Sequence, residues 1–330
     1  MNRKFSVPYS SVIDTSSYLN LLSDYRDCID NVFVGIPSLR DHLSLQGPEI
    51  TNNAYDFLEK SKGIYKRICL YNAIHYNTPD SEIFTYFDNY INPLIEKYNI
   101  EGFIVTSLPL AIKLKKDFPN IELHTSCNTF MWSIKQMDYW REKAGINVFN
   151  PPREAAKTPS MLKEMHNAGF KLKVIVNEAC TYGCPYTISH ACSVANSTAH
   201  NYRCFHGDIS QVFKTNYIPP KWLEYLDEYV YCYKLAGRES TLEKLKNMFD
   251  AYILQRQTTS IYDIATFGPY NVMTILKLFG IQITDDDIPE KTRYCEARYC
   301  NSCKECQMVI DRLIKNTPLS NIHKLDVLYK

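Results

Sequence analysis

The sequence predicts an α/β fold: a closed barrel of eight parallel strands with alternating helices and a helical, cysteine-rich C-terminal extension. Three observations lead to this prediction. Short apolar runs rich in β-branched residues alternate with amphipathic stretches up to about residue 240. The apolar runs number eight. The 330 residues suffice for a barrel of about 250 residues with roughly 80 residues of decoration.

Each of the eight apolar runs is short and is bounded by turn-forming residues. They predict strands, in chain order, at Phe5–Pro8, Asn31–Ile36, Arg67–His75, Gly102–Thr106, Glu122–Ser126, Asn147–Asn150, Lys171–Asn177 and Tyr229–Leu235. Eight strands with intervening helices favour a closed (β/α)8 TIM-like barrel over an open doubly wound sheet, which stays the alternative.

Helices are predicted between these strands from apolar residues at helical spacing, and several end at a glycine such as Gly145 or Gly169. They are Ser17–Cys28, Ala54–Lys60, Ser81–Tyr98, Pro109–Asp117, Thr129–Lys143, Ser160–Ala168 and Pro220–Leu226. Further helices are predicted at Leu242–Leu254, Ile261–Leu278 and Gln307–Lys315. We therefore predict a barrel over residues 1–240 and, over 241–330, a helical extension whose cysteine-rich tail packs on the barrel.

The composition argues against several classes of function. Lysine plus arginine (37) nearly equals aspartate plus glutamate (36), so no overall positive charge attracts nucleic acid or an anionic membrane. The sequence shows neither an apolar signal region at its start nor a run of about 18 apolar residues that could span a bilayer. It therefore predicts a cytoplasmic protein without membrane contact. No GxGxxG or Walker phosphate loop follows a predicted strand.

Twelve cysteines in a chain expected in the reducing cytoplasm indicate metal binding rather than disulfides. Cys180 and Cys184 come directly after the seventh predicted strand, in Asn177-Glu178-Ala179-Cys180-Thr181-Tyr182-Gly183-Cys184-Pro185, and Cys204 follows in the same connection. Such barrels carry their chemistry in the loops after the strands, at the end that we call the mouth. A second group, with spacing suited to an iron–sulfur cluster or a structural zinc ion, comprises Cys295, Cys300, Cys303 and Cys306.

Some of these thiols could instead be reduced side chains in the core, because free cysteine is among the most buried residue types. Burial is the favoured interpretation for Cys28, Cys69, Cys127, Cys192 and Cys232. The loop typical of radical S-adenosylmethionine enzymes, CxxxCxxC, is disfavoured because the third residue after the second cysteine here is a threonine.

Charged residues also follow the predicted strands. Arg153 and Arg238 come just past the sixth and eighth strands, where a guanidinium could clamp a carboxylate or phosphate of a substrate. Each could equally pair with its own neighbour, Glu154 or Glu239. Glu178 follows the seventh strand and could serve as a general acid or base. Residues that end other predicted strands could also line the mouth, namely Asn72, His75 and His124.

Five segments, taken in their order and spacing, resemble the collagenase-like peptidase U-32 family over roughly residues 100 to 240. They are Gly102-Phe103-Ile104-Val105-Thr106, His124-Thr125-Ser126, Pro152-Arg153-Glu154, Asn177-Glu178-Ala179-Cys180 and Tyr233-Lys234-Leu235-Ala236-Gly237-Arg238-Glu239. The Pro-Arg-Glu and Lys-x-x-Gly-Arg segments are the more specific marks, and the tail cysteines match a subset of the family.

Members of that family that have been studied as enzymes include proteins for oxygen-independent hydroxylation of the ubiquinone ring and of RNA bases, and these carry a four-iron cluster on cysteines. The resemblance implies a 4Fe–4S cluster here, on Cys180, Cys184 and Cys204 with a fourth ligand from the tail or another nearby residue. The four tail cysteines could instead hold a second cluster, or a zinc ion. The gap between the first two cysteines is shorter than in the family's signature, so the substrates of those members do not carry over.

The resulting hypothesis is an iron–sulfur-dependent enzyme that hydroxylates, or otherwise modifies by redox chemistry, a small molecule or an RNA base. Two alternatives stay open. One is peptide hydrolysis, although no HExxH helix or GxSxG elbow supports it. The other is a non-catalytic iron–sulfur subunit that carries electrons or pairs with a homologous barrel.

Overall fold

The computed structural model describes residues 3–35, 48–74, 79–195, 208–258, 260–268, 271–297 and 302–315. Within these ranges eight parallel strands close into a barrel, each paired with the next in chain order and the last with the first. The strands are β1 (Phe5–Pro8), β2 (Ile29–Val34), β3 (Arg67–Tyr71), β4 (Gly102–Val105), β5 (Glu122–Thr125), β6 (Val148–Phe149), β7 (Lys171–Ile175) and β8 (Val230–Lys234). The predicted (β/α)8 fold is confirmed, and each predicted strand overlaps an observed one.

The strands are connected through helices that run along the outside of the barrel. The α-helices of the described ranges are α1 (Thr15–Ser23), α2 (Pro48–Lys60), α3 (Asp80–Tyr86), α4 (Asn92–Tyr98), α5 (Leu108–Asp117), α6 (Ile134–Ala144), α7 (Pro159–Asn167), α8 (Thr187–Ala195), α9 (Leu242–Tyr252), α10 (Val272–Leu278) and α11 (Glu305–Lys315). Helix α9 follows β8 and contacts α1, so helices flank the barrel on both sides of the β8–β1 junction.

Four predicted helices differ from the structure. The span Ser17–Cys28 is α-helical only to Ser23 and ends in a 3₁₀ turn, Arg26–Cys28, and the span Pro220–Leu226 forms a 3₁₀ turn, Pro220–Tyr225. The other two are interrupted. The span Ser81–Tyr98 holds α3 and α4 with a π-helical turn, Phe87–Ile91, between them. Pro93 has no N–H to donate back into the preceding turn, so a new helix begins there. The span Ile261–Leu278 forms a 3₁₀ turn, Ile261–Asp263, at its start and α10 at its end.

The hydrophobic core has two parts. The larger part lies between the barrel and the surrounding helices, and it includes Phe103, Val105 and Leu110. The smaller part fills the barrel interior and comprises Phe33, Ile68, Leu70 and Ile104. The interior is therefore packed rather than open, as expected for a barrel of this size.

Four ionisable side chains form a row across the barrel interior, toward the starts of the strands, which we call the charged row. Lys173 Nζ lies 3.0 Å from His124 Nδ1, and His124 Nε2 lies 2.6 Å from Glu122 Oε1. Lys66 Nζ donates to Glu122 Oε2 at 3.0 Å. A neutral His124 with its proton on Nε2 satisfies both contacts, because it accepts from the lysine and donates to the glutamate. The prediction that His124 lines the mouth is wrong, since its side chain is fully buried in this row.

The C-terminal part of the chain packs back on the barrel. The turn Glu290–Ala297 contacts the turn Arg153–Lys157, which directly follows β6. Helix α11 contacts the turn Ile209–Phe213 in the connection between β7 and β8, and its Ile310 is fully buried. The division of the chain at residue 240 stays a prediction. Within the described ranges, no helix combines the length and apolar character needed to cross a membrane.

The charged row makes the fold sensitive to acid. Burial and the charge of Lys173 lower the pKa of His124 to about 4, whereas an unfolded chain takes up this proton near pH 6.5. Between these two values the unfolded state binds more protons, so the folded state loses stability as the pH falls. We expect the free energy of unfolding to drop by about 2–3 kcal/mol over this window. Replacing His124 with Gln should flatten the decline, as measured by urea unfolding at a series of pH values.

An equally steep decline in the His124→Gln variant would contradict this assignment. His166 offers a matched control, because it lies on α7 outside the barrel interior. The His166→Gln variant should keep the acid sensitivity of the original protein.

Candidate functional site

Arg153 joins two loops at the mouth. It is the first residue of the turn Arg153–Lys157, which comes after β6, and its side chain is 18% exposed. Its Nε donates to Glu178 Oε2 at 2.7 Å, in the loop after β7, and its guanidinium also donates to Asn128 Oδ1 at 3.1 Å, in the loop after β5. Burial alone would lower the pKa of Arg153, but the neighbouring Cys127, Glu178 and Cys180 hold it well above its usual range. The arginine is therefore a fixed positive charge.

The loop after β7 is fixed by Asn177, which is fully buried. Its amide Nδ2 donates to the carbonyl of Ala236 at 2.9 Å, and its Oδ1 accepts the Ala236 N–H at 2.7 Å. Its own carbonyl accepts the N–H of Thr266 at 2.8 Å. Asn177 thus links the ends of β7 and β8 to the segment before α10. Because Glu178 is the next residue, this linkage sets the position of its carboxylate.

Two further cations stand at the end of β8. Lys234 is 6% exposed, and its Nζ lies 4.4 Å from the centroid of the Phe33 ring. Burial, together with the charges of Lys173 and Arg238, lowers the pKa of Lys234 to about 8. Burial likewise lowers the pKa of Arg238. Neither cation has a hydrogen bond or ion pair with any other residue in the described ranges.

The backbone beside Arg238 leaves room for its guanidinium. Gly35 follows β2, and a Cβ atom at this position would lie only 3.1 Å from Nη1 of Arg238. Any larger residue would therefore press on the arginine. The absence of a side chain at Gly35 therefore lets the guanidinium lie against the backbone after β2.

Buried amide atoms without partners also lie at this end of the barrel. Asn72 follows β3 and Asn150 follows β6, and the Oδ1 atom of each is buried without a hydrogen-bond partner in the part of the chain that the structure describes. Leaving a buried polar atom unpaired costs about 1–3 kcal/mol. Such atoms are retained where a bound group completes their hydrogen bonding, so they support a binding site at the mouth.

The loop that carries Cys180 runs antiparallel to a second segment. Thr181 and Thr215 form a bridge, and the Asn216 N–H donates to the Cys180 carbonyl at 2.8 Å. This register places Asn216 opposite Cys180 along the chain. Both polar atoms of the Asn216 side chain are buried and lack a partner among the described residues. A residue with an unsatisfied amide is therefore paired, through its backbone, with Cys180.

A tight turn keeps Cys180 and Cys184 close along the chain. The Cys184 N–H donates to the Thr181 carbonyl at 3.3 Å, and Gly183 adopts a φ of +65° that suits glycine. Cys180 Sγ lies 3.6 Å from Glu178 Oε1. Two partly exposed thiols are thus placed on one short loop at the mouth.

The comparisons with known proteins agree with this geometry. The model of peptidase family U32 matches residues 19–253, most of the chain. This chain belongs to peptidase family U32. A curated relative, an uncharacterized protease of Methanocaldococcus jannaschii, is 23% identical over 242 residues, which cover 69% of this chain and 71% of the relative. The structure of the U32 peptidase Mk0906 superposes with a TM-score of 0.54 at 13% identity and covers 73% of this chain and 95% of that chain. It shares the fold.

Family U32 membership confirms the resemblance stated from the sequence, but the cluster ligands stay a prediction. The described ranges contain no group of three or more histidine, cysteine or carboxylate side chains close enough to hold a metal ion. Cys204 and Cys300 lie outside these ranges, as does the side chain of Cys295. Cys303 and Cys306 are described and partly buried at the start of α11.

The structure also corrects the partners expected for the U32 site residues. Arg153 pairs with Glu178 of the next loop, and not with its neighbour Glu154. Asn72 lies at the mouth as predicted, and His75 falls outside the described ranges. Sequence reasoning missed several residues of the site: Cys127, Asn128, Asn150, Asn216 and Lys234.

Burying Lys234 without a counter-charge should cost this U32 protein stability. Its folded pKa of about 8 lies below the unfolded value, so the cost is complete below pH 8 and vanishes as the pH rises toward 10.5. We expect Lys234→Met to raise the free energy of unfolding by about 1–3 kcal/mol at pH 7 and to gain less at higher pH. Urea unfolding at several pH values, without added anions, measures this gain.

Lys62→Met provides the control, because Lys62 is exposed. Its effect should stay within about 0.5 kcal/mol at every pH. A loss of stability in Lys234→Met that does not vary with pH would show that the lysine has a stabilising partner.

Proposed function

We propose that this chain is an iron–sulfur-dependent enzyme of family U32 that carries out oxygen-independent hydroxylation, or a related redox modification, of a small molecule or an RNA base. The active site is the mouth of the barrel. The observation that carries the proposal is that two partly exposed thiols lie at the same end of the fold as Lys234 and Arg238, two cations with no ion pair among the described residues. Thiolates suit an iron–sulfur cluster, and the cations suit an anionic substrate group.

The donor chemistry at the β7 loop fits such a cluster. Cys180 and Cys184 would supply two thiolates, and Cys204 with a tail cysteine would complete the set. Asn216, whose backbone pairs with that of Cys180 and whose amide is unsatisfied among the described residues, could donate to a thiolate or sulfide there. When bound, the cluster would supply one-electron transfer or Lewis acidity that side chains cannot provide. The contacts of Glu290–Ala297 and α11 with turns near the mouth make tail ligands compatible with this arrangement.

The chain's own residues would bind and orient the substrate. Arg238 has a guanidinium without an ion pair among the described residues, and its planar fork matches a carboxylate or phosphate. Arg153 is already paired, so its part is to hold Glu178 in place beside the Cys180 thiol. Glu178 could then accept or donate a proton at its Oε1 atom.

A reducing compartment would keep these thiols available, and the cytoplasm therefore belongs to the proposal. An electron donor, or a homologous barrel as a partner subunit, belongs to it as well. Hydroxylation without O2 also needs an oxidant, which is either an oxygen-atom donor or, if water supplies the oxygen, an acceptor for two electrons. Co-purification of the tagged chain from its own host under anaerobic conditions tests for such a partner.

Anaerobic purification followed by iron, sulfide and zinc analysis tests the proposal. We expect about four irons and as many sulfides per cluster. Cys184→Ser should lose most of the iron, because a serine hydroxyl is a poor ligand for iron in these clusters. Cys28→Ser is the matched control, since Cys28 is also partly buried but lies before β2, at the opposite end of the barrel.

Equal iron in the two variants would refute the ligand assignment. Stoichiometric zinc without sulfide would replace the redox proposal with a structural zinc site in the tail. Hydrolysis of denatured collagen that survives removal of iron would support peptidase activity instead.

A further inference from the structure

We propose that Lys234 is a catalytic nucleophile that forms an imine with the carbonyl carbon of a 2-oxo acid, while Arg238 binds the carboxylate of the same molecule. The inference rests on the mouth being the active site, as proposed above, but not on the iron–sulfur cluster. It therefore names a substrate class and a covalent step for this site.

The position of Lys234 suits an attack on a bound molecule. It is the last residue of β8, where barrel enzymes place catalytic side chains. Its Nζ lies against the ring of Phe33, which belongs to the apolar interior of the barrel. No described residue accepts a hydrogen bond from this amine. The nitrogen is thus held by packing and is available to a ligand.

The surroundings of Lys234 favour a neutral amine. The charged or titratable groups that act on it are Cys127, Lys173, Glu178 and Arg238. Desolvation and two like charges outweigh the thiol and the carboxylate, and the resulting pKa is about 8. At pH 7 about one chain in ten would then carry a neutral amine, compared with fewer than about one in a thousand for an ordinary lysine. Neighbouring cations and an apolar pocket are a known way to activate a lysine.

Arg238 makes 2-oxo acids the preferred class of carbonyl compound. It lies four residues after Lys234, and its charge is close enough to shift the pKa of the lysine. Its guanidinium is unpaired within the described ranges and lies against the backbone of Gly35. A 2-oxo acid carries its carboxylate on the atom next to the carbonyl carbon. One such molecule can therefore engage both groups at once.

The covalent step balances without an oxidant or a reductant. The neutral Nζ attacks the carbonyl carbon, a C–N bond forms, and the carbonyl oxygen takes up a proton to give a carbinolamine. Loss of this oxygen as water then leaves a protonated imine, with one proton taken from solvent overall. Glu178 interacts electrostatically with Lys234 and is a carboxylate that could pass these protons.

Lys173 is the other buried lysine of the interior, and it does not suit this role. Its Nζ is hydrogen-bonded to His124 Nδ1 at 3.0 Å, within the charged row that crosses the barrel. It also lies two residues before the end of β7, deeper in the barrel than Lys234. The free amine is therefore the one at the mouth.

Reductive trapping of the full chain with pyruvate and cyanoborohydride tests the inference. We expect one adduct per chain, with the mass of pyruvic acid less one oxygen atom, on the peptide that contains Lys234. The rate of trapping should rise with pH and level off above about pH 8, whereas labelling of surface lysines should keep rising toward about pH 10. Arg238→Met should weaken labelling by pyruvate at least about tenfold but spare labelling by acetone, which has no carboxylate.

Lys234→Arg keeps the charge but cannot form the imine, so it should give no adduct while it retains iron and fold. Lys234→Met serves the same purpose if the arginine disturbs folding. An adduct on another residue, or none on Lys234 at saturating pyruvate, would overturn the inference. An adduct on Lys234 in protein that lacks iron would support the imine proposal even if the iron–sulfur proposal failed. Iron in a protein that forms no adduct would support the iron–sulfur proposal and overturn the imine proposal.

Discussion

The mouth depends on the ion pair between Arg153 and Glu178. It joins the loop after β6 to the loop after β7, and the second hydrogen bond of Arg153, to Asn128, adds the loop after β5. Removing one member of a buried pair leaves the other uncompensated, at a cost of about 3–5 kcal/mol. The pair therefore acts less as a source of stability than as a constraint that keeps three loops, and the thiols of Cys127 and Cys180, in one arrangement.

Glu178 forms an ion pair with only one of the three cations at the mouth, and the other two have none among the described residues. Arg153 takes up Glu178, so Lys234 and Arg238 are left with unfavourable burial and no ion pair in the described ranges. A fold optimised for stability alone would place apolar residues at such positions. Unsatisfied amides at Asn72, Asn150 and Asn216 add to the same cost. Cations and amides left unpaired at one end of a barrel are best understood as the partners of an anionic, hydrogen-bonding ligand.

The sequence predicted the parts of this structure that local pattern controls. Eight short apolar runs gave the eight strands, and the position of Cys180 and Arg153 just after strands placed both at the mouth. The role of Lys234 was not predictable in this way. Side chains alternate between the two faces of β8, but the sequence does not tell which face is turned inward. The structure answers this: the barrel closes with a register shift between Leu172 and Lys173, and Cys232 and Lys234 are buried in the interior. Pairing of Asn216 with Cys180 is similarly a contact between segments far apart in sequence.

The tail shows why a cysteine count cannot give a ligand set. More than one hundred residues separate Cys180 from Cys295, and no sequence period relates the two. In the fold, the turn Glu290–Ala297 rests on the turn after β6, and α11 rests on the connection between β7 and β8. Both contacts return the tail to loops that belong to the mouth. Loop closure over such a distance costs little more than over a short one, because its entropy grows only with the logarithm of length. Ligands drawn from both cysteine groups are therefore physically as reasonable as two separate sites.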